Sequence, residues 1–210
     1  FYGLFDGSYL DAFFEAISGF TTTGATLVED IESLPRGLLF WRSLTQWLGG
    51  MGIIALFLAI LPRFGFKGMS MLKAELPGPI NERVAPRVVD TARLLWSIYL
   101  TFTVIQAGLL LLCGLSLFDA LAHAFTTMPT GGFSTYDASI AGLNNPAAEV
   151  VITVFMFAAG INFVLYFRLL RGDLAITRNR EVLFYTSMVL LTIVLVAFNI
   201  HPESDSWFET

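Results

Sequence analysis

Two short segments of the 210-residue chain consist largely of threonine and glycine: Thr21-Thr22-Thr23-Gly24-Ala25-Thr26 and Pro129-Thr130-Gly131-Gly132-Phe133-Ser134. Neither can stay helical, because one is a β-branched run followed by glycine and the other holds a proline and a glycine pair. Such a strand offers uncharged carbonyl oxygens, and its glycines let the backbone turn those oxygens toward a common axis. Rings of carbonyl oxygens replace the hydration shell of a monovalent cation. Nothing in either segment suits an anion.

The elements that must position these strands precede them. Ser8–Gly19 (SYLDAFFEAISG) and Ser116–Thr127 (SLFDALAHAFTT) are apolar stretches of 12 residues. As helices they are about 18 Å long, which reaches only about halfway through a bilayer core. Each opens with Ser-x-x-Asp (Ser8/Asp11 and Ser116/Asp119), a loose capping-box pattern with the carboxylate at the positive helix end. The negative C-terminal end then faces the strand, where a cation needs stabilising. A shift of 108 residues superposes the two segments without a gap: Ser8 on Ser116, Asp11 on Asp119, Ala12 on Ala120, Ala16 on Ala124, Thr22 on Thr130 and Gly24 on Gly132. These six identities in 19 positions, with Thr26 opposite Ser134, indicate an internal repeat.

Composition sets the surroundings. The chain is 55% hydrophobic and only 14% charged, with a net charge of −5 and one cysteine. Soluble domains carry about 25% charged residues, so a water-soluble globule is excluded. Disorder, nucleic-acid binding and a disulfide framework are excluded too. Four stretches are long and apolar enough to span: Leu38–Leu61, Leu94–Cys113, Ala147–Leu170 and Val182–Ile200. Ten of the 12 basic residues fall in or beside the two loops 62–93 and 168–180, while segments 1–35, 115–146 and 201–210 hold none. By the positive-inside rule those two loops are cytoplasmic, and both termini and both Thr/Gly strands face outside. Acidic residues of the outer segments, Glu15, Glu29, Asp30, Glu32, Asp119 and Asp137 among them, are expected to raise the local cation concentration. Beginning at Phe1 and stopping at Thr210 soon after an apolar run, the chain reads as an internal piece of a larger membrane protein.

Two crossings separate the repeat copies, so both short helices re-enter from the same face. The fold class expected is therefore an all-α membrane protein. It is built from repeated units of span, re-entrant pore helix, filter loop and span, a K⁺-channel-like architecture. Several single residues receive plainer readings. Arg42 snorkels to the outer interface. Asp119 caps its helix beside a surface His123, with no third ligand to make a metal site. Gly49, Gly50 and Gly52 serve either close helix packing or a hinge, packing being favoured. Gln46 and Asn162 either face a wet pore or bond between helices. Cys113 is a small hydrophobe at a helix end. The connector 62–91 with Pro77-Gly78-Pro79 is a turn-rich linker, either solvated or contacting a partner.

The runs SGFTTTGAT and WRSLTQWLGGMGI, and later TGGFS and FMFAAGINF, resemble the TrkH family of the Trk/Ktr/HKT potassium-transport superfamily. The resemblance covers essentially the whole chain. It implies four span–pore-helix–span units around one pore. Residues 1–61 form the first unit without its first span (pore helix 8–20, filter 21–26, span 38–61). Residues 62–91 are the cytoplasmic connector. The second unit is 92–170 (span 94–113, pore helix 116–128, filter 129–134, span 147–170), followed by the loop 171–181 and, in 182–210, the start of a third unit. It implies that Thr22, Thr23 and Gly24 supply one filter strand and Thr130, Gly131 and Gly132 the next, with Gly24 rather than serine matching the K⁺-selective pattern. The remaining filter strands are absent, so these residues alone do not enclose a pore. It further implies no cofactor (K⁺ being the transported ion), a bacterial inner-membrane location among lipid, a homodimer, and a TrkA-like cytosolic nucleotide-binding regulatory subunit.

A coupled carrier of a small solute or Na⁺ is the alternative, but it calls for inverted repeats and charges near the midplane. An intramembrane enzyme would need a nucleophile with a base, and the two histidines, His123 and His201, have no such partner at useful spacing.

Overall fold

The computed structural model describes residues 7–52, 84–170, 172 and 179–200, and among these every regular element is helical. In chain order they are α1 (Tyr9–Phe20), α2 (Arg36–Gly50), α3 (Val84–Leu112), α4 (Leu117–Thr127), a short 3₁₀ turn (Ser139–Leu143), α5 (Pro146–Ala159), α6 (Phe163–Leu170) and α7 (Arg180–Ile200). The ends of the predicted first span past residue 52, most of the basic connector and of the loop 171–181, and the tail with His201 lie outside the described residues. The chain divides into two compact units, Phe1–Phe163 and Val164–Thr210.

Both short helices start as their sequences predict. The Ser8 Oγ accepts from the Asp11 N–H (3.4 Å) and the Ser116 Oγ from the Asp119 N–H (3.1 Å). Ser116 also donates to Asp119 Oδ2 at 2.6 Å, locking the second cap. What α1 exposes is the reverse of a helix in water. Tyr9 (71% exposed), Leu10 (76%), Phe13 and Phe14 point outward, while Ala12, Glu15, Ser18 and Gly19 are buried. An apolar outside over a polar inside is what a lipid solvent selects, since lipid solvates no backbone or charge.

In the first unit α1 packs on α2, and α4 sits among α2, α3 and α5. The contact of α2 with α3 is aromatic. Trp47 lies against Trp96 and Tyr99 with ring centroids 5.4 and 5.5 Å apart. Its indole N–H donates to Thr103 Oγ1 (3.1 Å), and the Tyr99 hydroxyl donates back to the Trp47 carbonyl (3.0 Å). The start of α5 is pinned to the end of α3 by Asn145. Its Nδ2 donates to the Cys113 carbonyl (2.8 Å) and its Oδ1 accepts from the Ala148 N–H (3.1 Å), with Pro146 opening the helix. Cys113 is a partly buried neighbour of the Leu110–Ala120–Ala148–Ile152 core, in keeping with a small-hydrophobe role.

Among the described residues two helices are long and apolar enough to cross a membrane: Arg93–Leu112, with mean hydropathy 1.8, and Arg180–Asn199, with 2.2. The predicted third span, Ala147–Leu170, is not one helix. It stops at Ala159, where the N–H groups of Gly160 and Ile161 turn back to Met156 and Ala158, and resumes at Phe163. Gly160, β-branched Ile161 and Asn162 are all weak helix formers, and together they break the ladder. In α2 the helix stops at Gly50, and Gly52 has φ +67°. A 110-residue shift places Gly50 on Gly160 and Gly52 on Asn162, so the helices behind both Thr/Gly strands end at equivalent points.

Candidate functional site

The strands leaving α1 and α4 follow the same path. After each helix two N–H groups fold back on the last turn: Thr22 to Gly19 and Thr23 to Ser18 (both 3.0 Å), then Thr130 to Thr127 and Gly131 to Thr126 (both 2.9 Å). These are equivalent atoms under the 108-residue shift. Thr22 and Thr130 both have φ +56°, and Gly24 and Gly132 have +77° and +89°. A threonine in the left-handed region costs about 1–2 kcal/mol. The repeat of this strain at one position of each copy marks a backbone path that is imposed, as at functional sites.

The two hairpins touch. A Cβ added at Gly24 would fall on the carbonyl oxygen of Gly131, and close to Gly132 Cα (3.5 Å). Glycine at 24 is thus required twice, by its torsion and by the neighbouring strand. The counterpart, Gly132, meets no atom within 4 Å. Gly131 is buried under the Gln46 carboxamide, whereas Thr23, Thr130 and Gly132 are exposed and Thr22 and Gly24 half-buried. The outer loops add a second seam: the Ile31 N–H donates to Asp137 Oδ1 (2.7 Å) and the Asp137 N–H to Glu32 Oε1 (3.4 Å).

Behind the first strand lies a buried charge network. Glu15 is fully buried and Arg42 is 1% exposed. Arg42 Nε and one terminal guanidinium nitrogen both lie 2.9 Å from Glu15 Oε1, and that terminal nitrogen also donates to Thr26 Oγ1 at 2.9 Å. Thr26 donates to both carboxylate oxygens (2.9 and 3.1 Å), and the Leu27 N–H to Oε2 (3.2 Å). Ser18 donates to the Ala25 carbonyl. Residues 25–27 are therefore held to α1 and α2 by side chains.

The second strand is held differently. Its Phe133 N–H donates to Gln46 Oε1 of α2 (3.2 Å). Thr135 donates to Asp119 Oδ1 (3.2 Å) and lies 3.4 Å from His123 Nε2. His123 occupies the place of Glu15 under the 108-residue shift, and Ile152 that of Arg42 under the 110-residue shift. In place of an ion pair there is a cavity of about 240 Å³ lined by His123, Thr126, Thr127, Ser134, Ile152 and Met156. Among the described residues no three of His, Cys, Asp and Glu cluster as a metal site.

The sequence model of TrkH, a family of cation transport proteins, matches residues 6–199. The chain belongs to the TrkH family. It is 43% identical over 202 residues to the Trk system potassium uptake protein TrkH of Escherichia coli K12, covering 92% of this chain and 42% of that protein. It is 36% identical over 196 residues to TrkG of the same strain, covering 92% and 40%. The crystal structure of the potassium transporter TrkH from Vibrio parahaemolyticus superposes with a TM-score of 0.71 and 35% identity, covering 95% of this chain and 41% of that one. The chain thus spans about two fifths of the length of these TrkH-family relatives.

Three sequence expectations for this TrkH-family chain are corrected by the geometry. Arg42 does not snorkel to an interface; it is enclosed between Glu15, Thr26 and the Phe133 ring, whose centroid is 4.3 Å from Cζ. Glu15 does not contribute to an acidic outer surface, since Arg42 neutralises it in the interior. His123 is not a surface residue but is 3% exposed and stacked on Tyr136. The choices left open at Gln46 and at the three glycines resolve as well. Gln46 is buried and bonds between elements rather than facing a wet pore. Gly49 and Gly50 are packing glycines, pressed against the Phe20 backbone and Pro129, whereas Gly52 has open space and uses glycine for its torsion.

Proposed function

We propose that the chain is part of a membrane protein that conducts K⁺ through a filter of backbone carbonyls, with Thr22, Thr23 and Gly24 on one strand and Thr130, Gly131 and Gly132 on the next. One observation carries this reading: two strands with matching left-handed torsions, each at the C-terminal end of a half-length helix, meet at Gly24 and Gly131. Helix C-termini and uncharged oxygens favour a monovalent cation and supply no group for covalent chemistry. The ion moves down its electrochemical gradient and no bond is made or broken.

On this reading residues 1–61 and 92–170 are successive pore units and 182–210 opens a third, set in the bacterial inner membrane. The strands face outside and loops 62–93 and 168–180 face the cytoplasm. The homodimer and the TrkA-like nucleotide-binding subunit that the resemblance implies complete the assembly. The test is made on the complete protein that carries this chain. Crystals soaked in Rb⁺ should give anomalous density between backbones 22–24 and 130–132, and proteoliposomes should take up K⁺ in preference to Na⁺. Absence of K⁺ uptake by protein that is folded and inserted would overturn the proposal.

A further inference from the structure

We propose that Arg42 is a positioning residue for ion selection: anchored by Glu15, it sets where the two filter hairpins stand relative to one another. The inference rests on the filter reading above and deepens it. Arg42 touches both hairpins. One edge of its guanidinium bonds Glu15 and Thr26, the last residue of the first Thr/Gly segment. Its face lies on the ring of Phe133, the residue after Gly132 in the second strand. One turn further along α2, Gln46 takes the Phe133 N–H. Two side chains four residues apart, on one helix face, therefore grip both strands at the level where Gly24 meets Gly131.

The grip is one-sided. The second repeat has Ile152 where Arg42 stands and His123 where Glu15 stands, and the space behind its strand is a cavity rather than a filled ion pair. Among the described residues no guanidinium of its own unit backs the second hairpin; Asp119 and His123 hold its Thr135, and Arg42 and Gln46 of the first unit hold its Phe133. A planar fork suits this task because it bonds along its edge and stacks on its face at once, which an ammonium cannot do. The pair's net charge is zero, so it presents no net charge to a passing ion.

Three variants of the complete protein, reconstituted in liposomes with wild type alongside, separate positioning from bulk stability. Arg42→Lys keeps the charge and loses the fork and the stack. Phe133→Leu keeps the whole ion pair and loses only the surface it rests on. Arg42→Met with Glu15→Gln removes both charges together, a replacement that buried ion pairs often tolerate in folding. The K⁺/Na⁺ permeability ratio, read from bi-ionic potentials, is independent of how much protein is recovered. It should fall about tenfold in all three, since loss of roughly that discrimination corresponds to about 1.4 kcal/mol. A wild-type ratio in Arg42→Lys, with only the yield or melting temperature lowered, would reduce Arg42 to a stability role and overturn the inference. If Arg42→Lys is not recovered, Phe133→Leu decides in the same way. A wild-type protein that itself fails to distinguish K⁺ from Na⁺ overturns the filter reading, an outcome distinct from failure of the variants alone.

Discussion

Alanine at position 24 separates two reasons for a glycine. At φ +77° any side chain incurs the left-handed penalty, about 1–2 kcal/mol. Gly114, between α3 and α4, has φ +92° and open space around it, so Gly114→Ala carries that penalty and nothing more. At Gly24 the new methyl also lands on the Gly131 carbonyl. Carbon contacts settle near 3.5–4.0 Å, so the strands must part by about 1 Å or more to admit it. The neighbour is backbone and cannot swing aside as a side chain would. Gly131 is itself backed by Gln46, which closes the direction of retreat. Gly114→Ala should therefore lose about 1–2 kcal/mol in thermal melts of the purified protein, and Gly24→Ala more, because its strands must also part. Only Gly24→Ala should lower the K⁺/Na⁺ permeability ratio, by about tenfold or more. Equal ratios in the two variants, or a wild-type ratio in Gly24→Ala, would refute the claim that the Gly24–Gly131 contact sets the coordinating oxygens.

Three further outcomes are expected. Gln46→Leu leaves the buried Phe133 N–H without its acceptor and should cost about 1–3 kcal/mol, seen as a lower melting temperature. Asn145→Ala removes both the α5 cap and the bond to Cys113 and should cost about 1–2 kcal/mol, whereas Asn145→Asp keeps the cap and should cost less. In a background with Cys113 replaced by alanine, Ser139→Cys should react with a membrane-impermeant thiol reagent from outside and Gly172→Cys only from inside; the reverse pattern would invert the proposed topology.

The local chemistry of the site could be read from residue types because it is local. Ser8 and Ser116 cap where a serine three residues before an aspartate should, and the threonine–glycine strands leave the helix where β-branching and glycine demand. Long-range pairings were not legible. Glu15 and Arg42 are 27 residues apart, and each alone looks like an ordinary interfacial charge. Only their mutual burial shows that the pair is interior. The 108-residue shift sets His123 on Glu15 and so links their environments, but with Glu15 itself read as an outer charge the link does not reveal burial. The interruption after Ala159 did have a signal in the pairing of Gly160 with Gly50. Apolar runs conceal it, because hydrophobicity reports what can lie in lipid and says nothing about whether the helix is continuous.

The inverted dress of α1 has a consequence for how the protein is made. A carboxylate in a half-length apolar helix is costly to leave in hydrocarbon without its partner, and that partner emerges from the ribosome 27 residues later. At ordinary elongation speeds the wait is roughly 1–5 s. During it α1 must be sheltered in a polar translocation channel or stay at the aqueous interface, and it can settle only when α2 arrives to neutralise it. The two helices therefore settle in the bilayer together, and a ribosome stalled between them leaves α1 held in the channel or at the interface.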